Sequence, residues 1–295
     1  MIDYPLWTAM VTPMNEDGSI DYESLESVLK EQESAGNGVL VLGSTGEGLN
    51  LNDEEKRAVV RFTKELNLTV PMMAGLGGFN LEAQKEMISF CDEVGVNAFL
   101  MVAPIYAKPG KEGQLGWFSR LMVETKTPCM IYNVPSRTGI RMNPDVPASL
   151  NNTFPNYMGL KEASGSIDDL KAFREANPKA PVYCGDDNLI KEFGNEGAVG
   201  HVSVASNAWP AQTKKYLELA LKGEHDKLFD KWVDSADLFF DVPSPIPAKS
   251  LLFHKGFINN DQVRWPLTRD DMKSETEEAL LEADKNINAW FESVK

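Results

Sequence analysis

Eight short apolar runs, spaced roughly 20 to 35 residues apart, constrain this chain more than any other feature. They occupy residues 6–11, 39–42, 70–74, 98–102, 129–132, 158–160, 182–184 and 199–204. Each leads through a loop into a segment of helical period, most clearly at 22–34 and 54–65, where apolar residues mostly recur at helical spacing and charges fill the other faces. Strand, loop and helix in that order are the mark of βα units. Eight of them favour a closed parallel sheet over an open one, so the expected fold is α/β, a (β/α)8 TIM barrel. The 295 residues suffice for such a barrel, which typically takes about 250, plus a modest appendage. From about His225 the pattern changes. Helical periodicity runs through 226–240, a proline-rich turn follows at 242–247, and the tail at 274–290 puts Ala279, Leu280, Ala283, Ile287 and Trp290 near one face. The expected division is a barrel over residues 1–224 and a helical region over 225–295.

The 44 acidic residues outnumber the 29 basic ones, for a formal charge of -15. Such a charge repels phosphate backbones and anionic lipid, so neither nucleic acid nor a membrane is an expected partner. A small anionic substrate stays compatible, because screening over about 8 Å lets a few local donors dominate a pocket. Cys91, Cys129 and Cys184 are too few and too scattered for a disulfide framework, which fits a reducing cytoplasm. The start, Met-Ile-Asp-Tyr-Pro, lacks a basic stretch leading into an apolar run, and nowhere do eighteen apolar residues stand together. An untargeted cytoplasmic protein is expected.

In a barrel of this kind, chemistry sits at the C-terminal ends of the strands. Lys161 closes the sixth run there. It either pairs with a carboxylate such as Glu162, snorkels to solvent, or is desolvated, in which case its pKa falls from about 10.4 toward neutrality and exposes a nucleophilic amine. Other strand ends offer hydroxyls: Ser44 and Thr45 after the second, Tyr106 after the fourth and Tyr132 on the fifth, with Arg137 in the loop that follows. The segment Gly43-Ser44-Thr45-Gly46-Glu47-Gly48 permits a turn whose amides converge on a carboxylate, but it has neither dinucleotide spacing nor a Walker lysine. The glycines at 75–78 read as a βα turn. A guanidinium such as Arg137 grips carboxylates with two parallel bonds, and a phenol such as Tyr132 can relay protons. His201, His225 and His254 are dispersed and no metal motif is present, so no metal site is expected and His201 reads as structural.

Thr8-Ala9-Met10-Val11-Thr12-Pro13, Gly43 to Glu47, Tyr132 to Gly139, Gly159-Leu160-Lys161-Glu162-Ala163-Ser164-Gly165, Gly185-Asp186-Asp187 and Pro245-Ile246-Pro247 together resemble the dihydrodipicolinate synthase and N-acetylneuraminate lyase superfamily. The resemblance implies that Lys161 forms an imine with pyruvate and that Tyr132 moves protons beside it. Thr45 and neighbouring amides would hold the pyruvate carboxylate, Ser44 would pass the proton on, and Tyr106 would reach into the site of a second copy. Arg137 would clamp the second substrate, while Gly185 and Val202 line the pocket. Without metal or organic cofactor, the enamine would attack aspartate-β-semialdehyde, giving 4-hydroxy-tetrahydrodipicolinate in the diaminopimelate route to lysine. A homodimer or homotetramer is implied. Ser44 departs from the threonine usual in synthases and gives the loop the form found in sialate lyases, so a sialate or 2-keto-3-deoxy-sugar-acid lyase is the alternative. Arg137 favours the synthase, because a sugar aldehyde has no carboxylate to match it. A catalytically silent barrel would have no need of the intact hydroxyl set. Ile105 stands where many members place an interface tyrosine beside the relay tyrosine, and Asp53, Lys56, Phe79 and Ala83 occupy positions that often form the lysine-inhibition site, so an enzyme insensitive to lysine is expected.

Overall fold

The structure, a computed structural model, describes residues 4–295. The eight parallel strands are β1 (Leu6–Ala9), β2 (Gly38–Val41), β3 (Met72–Leu76), β4 (Ala98–Val102), β5 (Cys129–Asn133), β6 (Tyr157–Glu162), β7 (Val182–Cys184) and β8 (Gly200–Ser203). They pair in chain order, and β8 closes onto β1. Helices separate them, as the alternation of periods requires. The helix Tyr22–Ala35 begins at Asp21, whose side chain accepts from the Ser24 amide, and stops at Gly36 in the left-handed region. The helix Asp53–Glu65 starts with a reciprocal capping box between Asn52 and Glu55.

Every expected strand forms, with some ends displaced for identifiable reasons. β1 stops at Ala9 because the Val11 amide donates to the Asn207 side chain instead of to the neighbouring strand. β3 starts after Pro71 and runs through Gly75 and Leu76, so two of the residues expected in a turn belong to the sheet. Gly75 is needed there, since a β-carbon at that position would lie 2.7 Å from the Leu42 carbonyl oxygen.

Inside the barrel, Trp7, Leu40, Met73, Met130, Met158 and Val202 fill the space, while Cys129, Ile131, Tyr157 and Leu160 face the helices. One irregularity decides which way the end of β6 points. Cys129 pairs with Tyr157, but Met130 pairs with Gly159, so β6 carries one extra residue, a β-bulge. In an unbroken ladder Leu160 would stand opposite Tyr132 and face inward, turning Lys161 toward the helices. The bulge reverses that parity and sets Lys161 opposite Tyr132. Gly159 allows the bulge to pack, because a β-carbon there would come within 2.9 Å of the Pro181 carbonyl oxygen.

The C-terminal part is helical, with α-helices Trp232–Asp237, Ile246–His254 and Ser274–Val294. The continuous periodicity at 226–240 resolves into a 3-10 turn His225–Lys227, the helix from Trp232 and a second 3-10 turn Leu238–Phe240. Tertiary contacts override local propensity here. The Trp232 indole is buried, stacked on Tyr216 at 4.2 Å, and donates to the Asp187 carbonyl at 2.8 Å. Leu280, Ala283 and Ile287 are buried on one face of the last helix, as the spacing predicts. They join the same apolar cluster as Leu25 and Val60 of the helices around the barrel.

Candidate active site

Lys161 is the fifth residue of β6 and only 5% exposed. Its amine lies 4.3 Å from the centre of the Tyr132 ring, its register neighbour on β5. Burial lowers the Lys161 pKa to about 8, against the pull of Asp186 and Asp187, while Arg137 pushes in the same direction as burial. Gly185 makes room for the lysine stem, since a β-carbon there would sit 2.9 Å from the Lys161 Cε. The Gly185 amide already donates to the Glu162 carbonyl at 2.7 Å. Burial raises the Tyr132 phenol well above its ordinary value, opposed by Arg137 and by a hydrogen bond with the Ser44 hydroxyl. The buried phenol therefore stays protonated at neutral pH, a donor and acceptor beside the amine.

A cavity of about 480 Å³ opens over this group. Ser44, Tyr132 and Arg137 line it, together with Asp53, Lys56 and Gln84. Lys161 does not form its wall but lies across the Tyr132 ring. Arg137 is exposed on the single helical turn Pro135–Thr138 that follows β5. Thr45 is buried in the loop after β2, and Val202 is fully buried in the barrel interior. Tyr106 stands apart. It is 87% exposed, on a left-handed backbone with φ 63°, and like Thr45, Gly185 and Val202 it is not among the residues lining the cavity.

The profile of the dihydrodipicolinate synthetase family matches residues 5–284. The chain belongs to that family. It is 45% identical to a 4-hydroxy-tetrahydrodipicolinate synthase of Francisella tularensis subsp. novicida, over 99% of each chain. Against the enzyme of that name from Wolbachia pipientis of Culex pipiens it is 41% identical, over 97% of each. Among solved structures it is similar to the dihydrodipicolinate synthase of Aquifex aeolicus, at 30% identity and a TM-score of 0.90, covering 97% of this chain and 98% of the other. A chloride-inhibited dihydrodipicolinate synthase from Acinetobacter baumannii, complexed with pyruvate, gives the same identity and TM-score, covering 97% and 99%. The fold of this dihydrodipicolinate synthetase family member is thus the barrel of its relatives.

The motifs of the resemblance contain Asp186, Asp187 and Glu162 without assigning any of them a role in this member of the family. Asp186 is the foremost carboxylate acting on the Lys161 amine, and burial raises its own pKa. Its position directly after a strand-end glycine was the available signal. Asp187 belongs to a separate network on the outer side of the barrel wall. It accepts from the Ser203 hydroxyl at 2.5 Å and the Val204 amide at 2.8 Å, and lies 2.8 Å from His201 Nε2, whose Nδ1 meets the Cys184 carbonyl at 2.9 Å. His201 thus welds β8 to the turn that follows β7. Glu162 is fully buried, accepts from the Asn133 side chain Nδ2 at 2.7 Å and from the Ser164 backbone amide at 2.9 Å, and burial raises its pKa to about 7. Among the described residues no cluster of three or more His, Cys, Asp or Glu is placed to hold a metal. No described helix is long and apolar enough to cross a membrane.

Proposed function

We propose that this protein acts as a 4-hydroxy-tetrahydrodipicolinate synthase, condensing pyruvate with L-aspartate-β-semialdehyde in the diaminopimelate route to lysine. The observation that carries the chemistry is a desolvated lysine amine set 4.3 Å from the ring of a buried tyrosine at the mouth of the barrel. Lys161 attacks C2 of pyruvate, and loss of water leaves the imine. Tyr132 serves as the acid and base for that step, and Ser44 carries the proton toward solvent. Loss of a C3 proton gives the enamine, whose carbon attacks the aldehyde. The substrate amine then displaces Lys161 at C2, closing the ring and freeing the enzyme.

Thr45 and the amides of its loop hold the pyruvate carboxylate, and Arg137 on the cavity wall grips the carboxylate of the semialdehyde. Gly185 serves by leaving space for the lysine, and Val202 provides apolar packing below it. Tyr106, turned out to solvent on its own chain, completes the relay in a second copy, so the working unit is a homodimer or homotetramer. Three buried free cysteines fit a reducing cytoplasm. Residues 1–224 supply the catalytic barrel, and residues 225–295 brace it.

The test is a condensation assay on wild type and Arg137→Ala with pyruvate and the semialdehyde. The variant should lose semialdehyde turnover by roughly a hundredfold or more, the scale of a lost charged contact, while still forming the pyruvate imine. A variant that condenses at the wild-type rate would reject the clamp, and a wild type that fails to condense would reject the synthase reading.

A further inference from the structure

Lys249 is the one charged residue in the stretch 246–253 of the helix Ile246–His254 and is completely buried. Its ammonium is 2.6 Å from Glu47 Oε1, with both side chains at most 1% exposed, and it also donates to the Gln262 carbonyl at 2.7 Å. The second Glu47 oxygen accepts from the Arg264 amide at 2.9 Å. Arg264 in turn grips both oxygens of Glu55, in the first turn of the helix Asp53–Glu65, at 2.6 and 2.8 Å. The segment 249–264 is therefore tied to the loop after β2 and to the helix that follows it.

That loop needs holding. Leu42 and Glu47 both adopt left-handed backbone conformations, at φ 62° and 53°, which are unfavourable for residues with side chains. Ser44 and Thr45 lie between them. Besides short turns within itself and the hydrogen bond between Ser44 and Tyr132, the loop is fastened by Thr12, whose hydroxyl donates to the Gly46 carbonyl at 2.7 Å, and by the two bonds to Glu47. A buried ion pair is a poor source of net stability, because desolvating two charges offsets most of their attraction, but its geometry is strict. Charge on Lys249 fixes the Glu47 carboxylate, and the Glu47 backbone fixes the two residues before it.

We propose that Lys249 is a positioning residue for the pyruvate site, acting through Glu47 to hold Ser44 and Thr45 in place. The C-terminal region then forms part of the site's support, and its effect falls on pyruvate binding through Thr45 and on proton relay through Ser44, not on Lys161, which stands on another strand. This rests on the functional reading above. Trapping of pyruvate on the wild-type protein with borohydride tests that reading by itself.

The experiment compares Glu47→Gln with the double variant Glu47→Gln/Lys249→Met, which removes both charges and spares the fold an unpaired one. The single variant should unfold at a lower temperature, and the double variant should recover most of the loss. In both, the pyruvate KM should rise roughly tenfold as Thr45 shifts, and kcat at saturating pyruvate should fall several-fold as the Ser44 relay shifts, since small misplacements of a positioning group cost about that much or more. A double variant of wild-type stability whose pyruvate KM stays within about twofold of wild type would overturn the proposal, since the pair would then be structural only. If neither variant folds, the pair belongs to folding alone, and the proposal is overturned as well.

Discussion

Asp186→Asn should move the pH dependence of imine formation downward. Burial sets the Lys161 pKa at about 8, and Asp186 is the largest influence opposing that fall. At pH 7 such an amine is about 9% neutral, whereas an unperturbed lysine is about 0.03% neutral, so desolvation raises the nucleophilic fraction roughly 300-fold. Removing the carboxylate withdraws an attraction that favours the ammonium. The inflection should drop by roughly half to one pH unit, raising the neutral fraction at pH 7 to about 25–50%. The assay is the initial rate of borohydride-trapped pyruvate adduct, followed by mass across about pH 6 to 10, where the rate should climb tenfold per unit below the inflection and level off above it. Trapping at pH 7 should run roughly three to five times faster in the variant than in wild type, with the same plateau. A wild-type inflection near the ordinary lysine value, or an Asp186→Asn profile shifted upward, would refute the reasoning.

Glu162 should make the fold less stable as pH rises from about 4.5 to about 7. Its folded pKa of about 7 lies above the unfolded value of 4.5, so the folded chain holds the proton more tightly. The stabilisation is complete below about pH 4.5 and is lost as pH rises through 7, up to about 3 kcal/mol in total. In urea unfolding, Glu162→Gln should flatten this part of the curve relative to wild type, and an unchanged slope between about pH 5 and 8 would contradict the assignment. Gly159→Ala should cost about 1–3 kcal/mol through the clash with Pro181, and should slow imine formation by more than the loss of folded protein accounts for. A variant with normal trapping would show that the bulge does not aim the lysine.

The barrel was legible because burial on both faces writes each strand as a short apolar run, and the helices between them carry a different period. Lys161, Tyr132 and Ser44 could be picked out because polar residues at strand ends interrupt that pattern. Their mutual geometry could not be read, since a one-residue bulge within Tyr157-Met158-Gly159-Leu160 looks like any other apolar run, yet it decides whether the lysine faces Tyr132 or the helices. The pairing of Lys249 with Glu47 spans 202 positions and leaves no local trace at Glu47. At Lys249 there was a signal, a lone charge in the middle of Ile-Pro-Ala-Lys-Ser-Leu-Leu-Phe, which is unusual in a buried helix unless a partner is provided. The break in the helix before Trp232 was invisible for a related reason. It answers to Tyr216 and Asp187, which are distant in sequence.

The central claim is that the Lys161 amine is the nucleophile. Wild type and Lys161→Ala, each incubated with pyruvate, reduced with borohydride and mapped by peptide mass, test it most directly. The expected result is one pyruvate adduct on wild type, confined to the peptide bearing Lys161, and none on the variant. An adduct on another lysine, an adduct that survives in Lys161→Ala, or no adduct on wild type would contradict it.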